Sequence, residues 1–311
     1  MRIIFLGTAG TVPTEKRSHP AIVIEYLSEP FLFDCGEGAQ RQMRIFGVNP
    51  MAINHIFITH FHADHILGIG GLLRSMDFMN RVKPINIHGP TGLGSIIDKL
   101  LSIGVYKPEK IKINIFEIEH YDVIDTPLVI LEGEKYRVSC IAAEHTNNSL
   151  AFCFEEKEKR TFLKERAIEL GVPEGRLFSK LQHGQSVNIN GKVIRPDDVL
   201  SPAVAGRKCV YTGDTKPSDN IVKISENADM LIHDSTYMSD TKDTEDLDDV
   251  GHSSAKDAAM VARRAHACAL YLTHISQRYT EPGKLEEEAR QVFENSHLAE
   301  DFMVVEVKKK W

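Results

Sequence analysis

The sequence predicts an α/β protein in which two β-sheets pack face to face with helices on both outer faces, a four-layer αββα sandwich. Short apolar runs with strand composition occur in the first half and again in the second half of the chain, and helical segments accompany each set. A chain of 311 residues, 42% hydrophobic and 26% charged, is long enough to bury a substantial core. We therefore expect one domain, 1–311, with one insertion.

The predicted strands and helices follow from residue composition and from the turn residues that separate them. Clusters of Gly and Pro at 7–13 and 28–30 separate the first three apolar runs, which predicts a strand meander. Helical periodicity predicts helices over 39–46 and 66–79, and Ser253 or Ser254 can cap a third helix that begins near Ala255. The predicted strands are 2–6, 21–25, 31–33, 53–59, 85–88, 111–118, 136–142, 151–155, 208–211, 230–233, 269–272 and 303–307.

The pattern breaks after Glu156, where a charged segment leads into a stretch rich in Gly, Pro and Asn. We interpret residues 157–195 as an arm that protrudes from the sandwich. Nine Lys or Arg and four Glu give this arm a net charge of +5 in a chain whose net charge is -7. The acidic run 240–249 is interpreted as a solvated surface loop.

Charge and composition limit the function classes. A net charge of -7 argues against a protein that coats nucleic acid, so any nucleic-acid role must rest on a local basic patch such as the arm. No stretch approaches the roughly 18 apolar residues of a membrane helix, and the N-terminal apolar run is too short for a secretory signal. The five cysteines form no CxxC pair. We therefore expect a cytoplasmic protein with reduced thiols and no membrane contact.

The segment Thr59-His60-Phe61-His62-Ala63-Asp64-His65 carries the chemistry, because four metal-ligand side chains fall within six residues between a strand and a helix. His60 and His62, two apart in extended chain, project the same way, whereas the turn into the helix brings Asp64 and His65 to the other side of the opening. One short loop can therefore serve two metal ions.

Further donors follow later strands by a few residues. These are His145 after 136–142, Asp214 after 208–211 and His274 after 269–272. Histidine and aspartate without thiolate suit zinc in a catalytic site, and manganese or iron would also be accepted.

These segments, together with Phe33-Asp34-Cys35-Gly36, resemble the successive motifs of the metallo-β-lactamase superfamily. The resemblance implies two Zn²⁺ ions per chain, with Asp34 orienting a ligand histidine from beneath. It assigns His60, His62 and His145 to one ion, Asp64, His65 and His274 to the other, and Asp214 to both.

Three finer features resemble the ribonuclease Z family, whose members remove the 3' trailer from precursor tRNA. They are the N-terminal segment 6–18 with 33–40, the pair Ile232-His233-Asp234-Ser235-Thr236 and Gly251-His252-Ser253-Ser254, and the arm with Gly171-Val172-Pro173-Glu174-Gly175-Arg176. The resemblance implies that His252, steadied by Asp234, donates a proton to the leaving oxygen and that Asp64 accepts the proton of the attacking water. Arg17, Arg176 and Lys180 are the candidate RNA contacts.

The resemblance also implies a homodimer in which the arm of one subunit holds tRNA for the site of the other. The main alternative is a small-molecule phosphodiesterase of the same fold, in which the arm has no part in turnover. A metal-free RNA-binding protein with a vestigial site is a second alternative, against which the complete ligand set speaks. A chain-degrading β-CASP nuclease would need a large extra domain, whereas 157–195 is the extra segment in this sequence.

Overall fold

A computed structural model describes residues 1–105, 108–120, 123–239 and 251–309. Two compact units divide the chain: Met1–Glu155 with Lys208–Lys308 form the first, and Glu156–Arg207, with which Lys309 is grouped, form the second. The acidic run 240–249 lies outside the described residues. No helix within these ranges is both long and apolar enough to cross a membrane.

The first sheet has seven strands: β1 Arg2–Gly7, β2 Ala21–Tyr26, β3 Glu29–Phe33, β4 His55–Phe57, β5 Ile85–Pro90, β6 Ile113–Ile118 and β16 Val304–Glu306. Their order in the sheet is β16-β1-β2-β3-β4-β5-β6. Strands β16 and β1 to β3 pair antiparallel, and β3 to β6 pair parallel.

The second sheet also has seven strands: β7 Leu128–Glu132, β8 Tyr136–Ala142, β9 Leu150–Glu156, β12 Lys208–Tyr211, β13 Met230–Asp234, β14 Leu270–Thr273 and β15 Ser296–Leu298. Their order in the sheet is β15-β14-β13-β12-β9-β8-β7. Strands β12 to β15 run parallel, and β9 pairs antiparallel with β12.

Three apolar clusters define the layers of the first unit. The middle cluster joins Phe5, Phe31 and Phe33 of the first sheet to Phe152 and Phe154 of the second sheet. Each outer face of the sandwich carries its own cluster against helices. On the first sheet these are α1 Ala39–Phe46, α2 Ala63–Ile66, α3 Gly68–Phe78 and α4 Leu93–Ser102, and on the second α7 Asp219–Ile224, α8 Ala255–Arg264 and α9 Gly283–Arg290. The predicted four-layer αββα sandwich is confirmed.

The second unit has a small core of its own, built from Ala167, Val172, Leu181, Val187 and Val199 among others. It contains the helices α5 Lys164–Glu169 and α6 Arg176–Gln182 and the two-stranded ribbon of β10 Val187–Ile189 and β11 Lys192–Ile194. This unit, 156–207, extends beyond the segment 157–195 expected from the sequence. The added residues include Glu156, whose carboxylate pairs with buried Arg207 at 2.8 Å.

The prediction of one continuous helix over 66–79 was wrong, because α2 ends at Ile66 and α3 begins at Gly68. Gly68 lies so close to the turn after β3 that a Cβ atom there would sit 2.1 Å from the carbonyl oxygen of Gly36. The Gly68 amide donates to the carbonyl of Cys35, which fixes this contact. Apolar periodicity carries no information about such a backbone approach, so the break was invisible in the sequence.

Candidate metal centre

The ligand loop lies between β4 and α3, at the carboxyl end of a parallel strand. His60 follows β4, His62 caps the N-terminus of α2, and Asp64 and His65 lie within α2. The amide of His65 donates to the carbonyl of His62 at 3.0 Å, which turns the chain sharply. The loop thus presents side chains before and after the turn to one opening.

Donors from the second sheet converge on the same place. Asp214 lies after β12 and His274 after β14, and parallel strands bring the residues beyond their carboxyl ends to a common edge of the sheet. His145 comes from the turn after β8. The backbone φ of His274 is +61° and that of Asp34 is +53°, conformations that non-glycine residues seldom adopt and that cluster at functional sites.

All seven predicted ligands are brought together in two groups that share Asp214. Within each group the ligand atoms lie within 4.8 Å of one another. Asp214 Oδ1 is 3.2 Å from His65 Nε2, and Asp214 Oδ2 is 3.2 Å from His274 Nε2 and 3.6 Å from His60 Nε2. The groups are His60, His62, His145 and Asp214, and Asp64, His65, Asp214 and His274.

Four of the histidines have their second nitrogen occupied by a polar partner. Nδ1 of His60 lies 3.0 Å from Thr59 Oγ1, Nδ1 of His65 2.7 Å from Asp34 Oδ2, Nδ1 of His145 2.8 Å from the carbonyl of Gly251, and Nδ1 of His274 2.8 Å from Thr236 Oγ1. Such partners fix ring orientation and leave Nε2 for a metal. His62 differs, because its Nδ1 lies 3.0 Å from His145 Nε2.

Several buried atoms in the centre lack a hydrogen-bond partner. Among the described residues, His60 Nε2, His65 Nε2 and Asp214 Oδ1 have no partner with hydrogen-bond geometry, although the last two lie 3.2 Å apart. Leaving buried polar atoms unpaired costs about 1–3 kcal/mol each, and native proteins avoid it. A cation between the groups would satisfy all three, so the donor set fits divalent metal ions.

The pKa shifts of His60 and His65 agree with the binding of divalent cations. Burial lowers the pKa of His60, and neighbouring His65 lowers it further, so its ring is neutral and can offer a lone pair. Burial also lowers the pKa of His65, but the charges of Asp214 and Asp34 outweigh it and raise the value well above the ordinary one. The space between these carboxylates therefore favours positive charge.

Beside the ligands lies the pair of His252 and Asp234. Nδ1 of His252 is 2.8 Å from Asp234 Oδ2, so the two side chains are hydrogen-bonded. Burial lowers the pKa of His252, but the charge of Asp234 and this hydrogen bond prevail and raise it to about 9. The ring of His252 stacks on that of His274 at 5.0 Å between centroids, which places the pair at the edge of the metal centre.

Sequence reasoning assigned no role to Thr59 and Thr236, although both stand within its motifs. Thr59 donates to Asp34 through both its amide and its hydroxyl group, and Thr236 contacts Asp234, His252 and His274. Their positions directly before His60 and two residues after Asp234 were the available signal. A buried hydroxyl next to a ligand is a candidate for orienting it.

Comparisons with known proteins agree with this geometry. The model of the beta-lactamase superfamily domain matches residues 169–275, and that of the anti-Pycsar protein Apyc1 matches residues 1–164. Over nearly the whole chain, the protein is 42% identical to ribonuclease Z of Methanothermobacter thermautotrophicus, across 308 residues, 99% of this chain and 97% of that protein. Ribonuclease Z of Methanosarcina acetivorans is 40% identical across 309 residues, 99% and 98% of the two chains.

The chain belongs to the ribonuclease Z family. A crystal structure of human tRNase Z, short form, is similar with a TM-score of 0.72 and 26% identity, and the match covers 99% of this chain and 100% of that one. The metallo-β-lactamase fold and the resemblance to ribonuclease Z expected from the motifs are thereby confirmed.

One candidate RNA contact of this ribonuclease Z family member, Arg17, is largely buried. Its side chain is only 8% exposed, and its guanidinium donates to Thr8 Oγ1 at 2.6 Å and to the carbonyl of Ala299 at 2.5 Å. These hydrogen bonds connect the loop of Arg17 to the residue after β1 and to the C-terminal segment. As an RNA contact Arg17 stays a prediction, and its inward-directed donors favour a structural role.

The other two candidates, Arg176 and Lys180, lie on α6 of the second unit. Both are exposed, and their spacing of four residues puts them on one face of the helix. Neither has an ion-pair partner in the described part of the chain, whereas Arg160, Lys164 and Arg166 each pair with a carboxylate. These two cations remain available to phosphate groups.

Proposed function

We propose that this protein is the endonuclease that removes the 3' trailer from precursor tRNA by hydrolysing one phosphodiester. The observation that carries the proposal is the proton-donor pair His252 and Asp234 beside two ligand groups that share Asp214. Whole-length similarity to ribonucleases Z and to human tRNase Z supports the substrate.

We assign one Zn²⁺ to His60, His62 and His145 and one to Asp64, His65 and His274, with Asp214 shared. Mn²⁺ or Fe²⁺ would be accepted by the same nitrogen and oxygen donors. When bound, a pair of divalent ions activates water at neutral pH and stabilises charge on the phosphoryl oxygens.

Asp64 is the proposed proton acceptor. Burial raises the pKa of Asp64, but the hydrogen bond from His274 and the charge of His65 outweigh it and lower the value to about 2. The carboxylate is therefore ionised at neutral pH. Its Oδ2 lies 3.3 Å from His274 Nε2 and 3.6 Å from His65 Nε2, so the group is fixed within the ligand set.

His252 is the proposed proton donor to the leaving ribose oxygen. Its Nδ1 is bonded to Asp234, and Nε2 has no hydrogen-bond partner among the described residues. The raised pKa keeps the imidazole protonated at neutral pH in this environment. The arrangement matches a general acid, in which a carboxylate steadies one nitrogen while the other donates.

The arm is the proposed grip on the body of the tRNA. Its unpaired Arg176 and Lys180 suit phosphate contacts, which supply affinity without sequence preference. The proposal includes a homodimer in which each arm serves the partner's site, to be tested by sedimentation with and without tRNA. It also includes a cytoplasmic location, with which the five free cysteines agree.

The test is cleavage of a 3'-extended precursor tRNA labelled at its 5' end. Wild type with Zn²⁺ or Mn²⁺ is expected to cut once near the acceptor stem, Asp64→Ala to abolish the cut and His252→Ala to slow it strongly. Deleting 157–195 is expected to weaken tRNA cleavage while sparing hydrolysis of a small nitrophenyl diester. An uncut precursor beside rapid diester hydrolysis would make the protein a small-molecule phosphodiesterase instead.

A further inference from the structure

Thr236 joins the proton-donor pair to the metal ligands. The residue follows β13 and is only 6% exposed. Its Oγ1 lies 2.6 Å from Asp234 Oδ1, 2.8 Å from His274 Nδ1 and 3.3 Å from His252 Nδ1. One hydroxyl group therefore touches the carboxylate, the proposed acid and a proposed ligand.

The donors around Asp234 determine where the hydroxyl hydrogen goes. Oδ1 receives the amide and the hydroxyl group of Thr236, and Oδ2 receives His252 Nδ1 and the amide of Thr215. Four donors thus surround the two oxygens, as expected of an ionised carboxylate, which only accepts. Thr236 must therefore donate its single hydrogen to Oδ1.

Because Thr236 Oγ1 donates its hydrogen to Asp234, it can only accept a hydrogen bond from His274. Nδ1 of His274 must then carry a proton, and a ring that binds a cation through Nε2 carries its only proton on Nδ1. Nε2 lies 3.3 Å from Asp64 Oδ2 and 3.2 Å from Asp214 Oδ2, so it is directed at the ligand group. The reverse arrangement would place an N–H bond where a metal ion must bind.

We propose that Thr236 is a positioning residue that sets the tautomer of His274 and thereby supports cation binding by Asp64, His65, Asp214 and His274. Asp234 then orients two histidines, because it contacts His252 directly and His274 through Thr236. The inference rests on the proposed metal sites and adds a residue to which no role was assigned.

Metal affinity gives the first test. Metal-free protein is titrated with Zn²⁺ in competition with a chromophoric chelator, and wild type is expected to bind two ions. Thr236→Val keeps the branched shape but lacks the hydroxyl group, so the dissociation constant of one ion should rise about 10- to 100-fold. Thr236→Ser restores the donor and should restore the affinity. Two ions bound by Thr236→Val as tightly as by wild type would overturn the proposal.

The matched control is Ser235→Ala. Ser235 is a fully buried neighbour whose hydroxyl group donates to the carbonyl of Thr273 and not to a ligand side chain. Its loss should leave both zinc affinities unchanged, and an equal loss of affinity in Ser235→Ala would show that Thr236→Val acts only through local stability.

The tautomer itself gives a second test that needs no substitution at Thr236. In zinc-loaded wild type labelled with ¹⁵N-histidine, the nitrogen chemical shifts of His274, assigned by comparison with His274→Gln, should show the proton on Nδ1. A zinc-loaded protein in which Nδ1 of His274 carries no proton would overturn the proposal. Neither test uses RNA, so a protein that passes both and leaves precursor tRNA uncut would refute the proposed function alone.

Discussion

His65 and Asp34 meet at 2.7 Å in the interior of the protein, with both side chains fully buried. The carboxylate also accepts from the hydroxyl group of Tyr211 at 2.8 Å and from the amide of Thr59 at 2.8 Å. A single residue directly after β3 thus contacts a proposed ligand, holds the ligand loop and binds a strand of the second sheet. Asp34 belongs to neither ligand group, and we expect it to support the proposed metal centre from outside.

Asp34→Asn should therefore weaken metal binding without removing a ligand. An amide offers one acceptor oxygen where the carboxylate offers two, so at least one of the four donors from His65, Tyr211 and Thr59 loses its partner. We expect zinc affinity to fall about 10- to 100-fold, measured by chelator competition. Asp219→Asn, which alters an exposed pair with Arg264, is the control. Unchanged affinity in Asp34→Asn would show that the contact is dispensable.

His252→Ala should affect substrates according to their leaving group. Ribose oxygen needs a proton as it departs, so precursor tRNA cleavage should slow about 10²- to 10⁴-fold. Nitrophenolate leaves without a proton, so hydrolysis of a nitrophenyl diester should change far less. Equal losses in kcat on both substrates would assign His252 to binding or structure.

Arg176→Ala and Lys180→Ala should alter the salt dependence of tRNA binding. Each lost phosphate contact should reduce the slope of log affinity against log salt concentration by about 1. Lys284→Ala is the control, since Lys284 is exposed and paired with Glu281 in the first unit. Identical slopes in wild type and both arm variants would exclude these residues from the contact.

Arg17→Ala should act on stability and not on that slope. Removing the guanidinium leaves the hydroxyl group of Thr8 and the carbonyl of Ala299 without a donor, which costs about 1–3 kcal/mol. We expect a lower melting temperature than in Lys16→Ala, which alters an exposed neighbour. A reduced salt slope in Arg17→Ala at unchanged stability would instead support Arg17 as an RNA contact.

His88 should make the protein sensitive to acid. Its ring stacks between Phe57 and Phe116, and burial, with a smaller effect of His55, lowers the pKa of His88 from 6.5 to about 3. The folded state binds this proton less tightly than the unfolded chain does. Stability from His88 is therefore complete above pH 6.5 and declines as the pH falls toward 3.

His88→Phe keeps the stack and removes the titrating group. Urea unfolding at pH 7 and pH 5 should show a smaller loss of unfolding free energy in the variant, by up to about 1.4 kcal/mol per pH unit below the ordinary value. The absolute stability at pH 7 also changes, because the 3.2 Å contact with His55 is lost. Equal acid sensitivity in both proteins would refute the prediction.

The fold class and the ligand set were accessible from the sequence because both are local signals. Apolar runs bounded by turn residues marked most strands, and His60 to His65 fall within six residues. Strands β7 and β15 were missed, as were β10 and β11 of the second unit. The apolar run Leu128-Val129-Ile130-Leu131 of β7 was overlooked and is largely exposed, and the other three strands have only three residues each.

The sequence by itself determined which side chains could bind metal ions and that they lie just after strands. Only the tertiary structure decided how they are used, because hydrogen bonds between distant segments leave no pattern along a chain. Arg17 faces inward since Thr8 and Ala299 accept its donors. Thr236 reaches His274 because β13 and β14 are parallel neighbours whose carboxyl ends meet at one edge of the sheet.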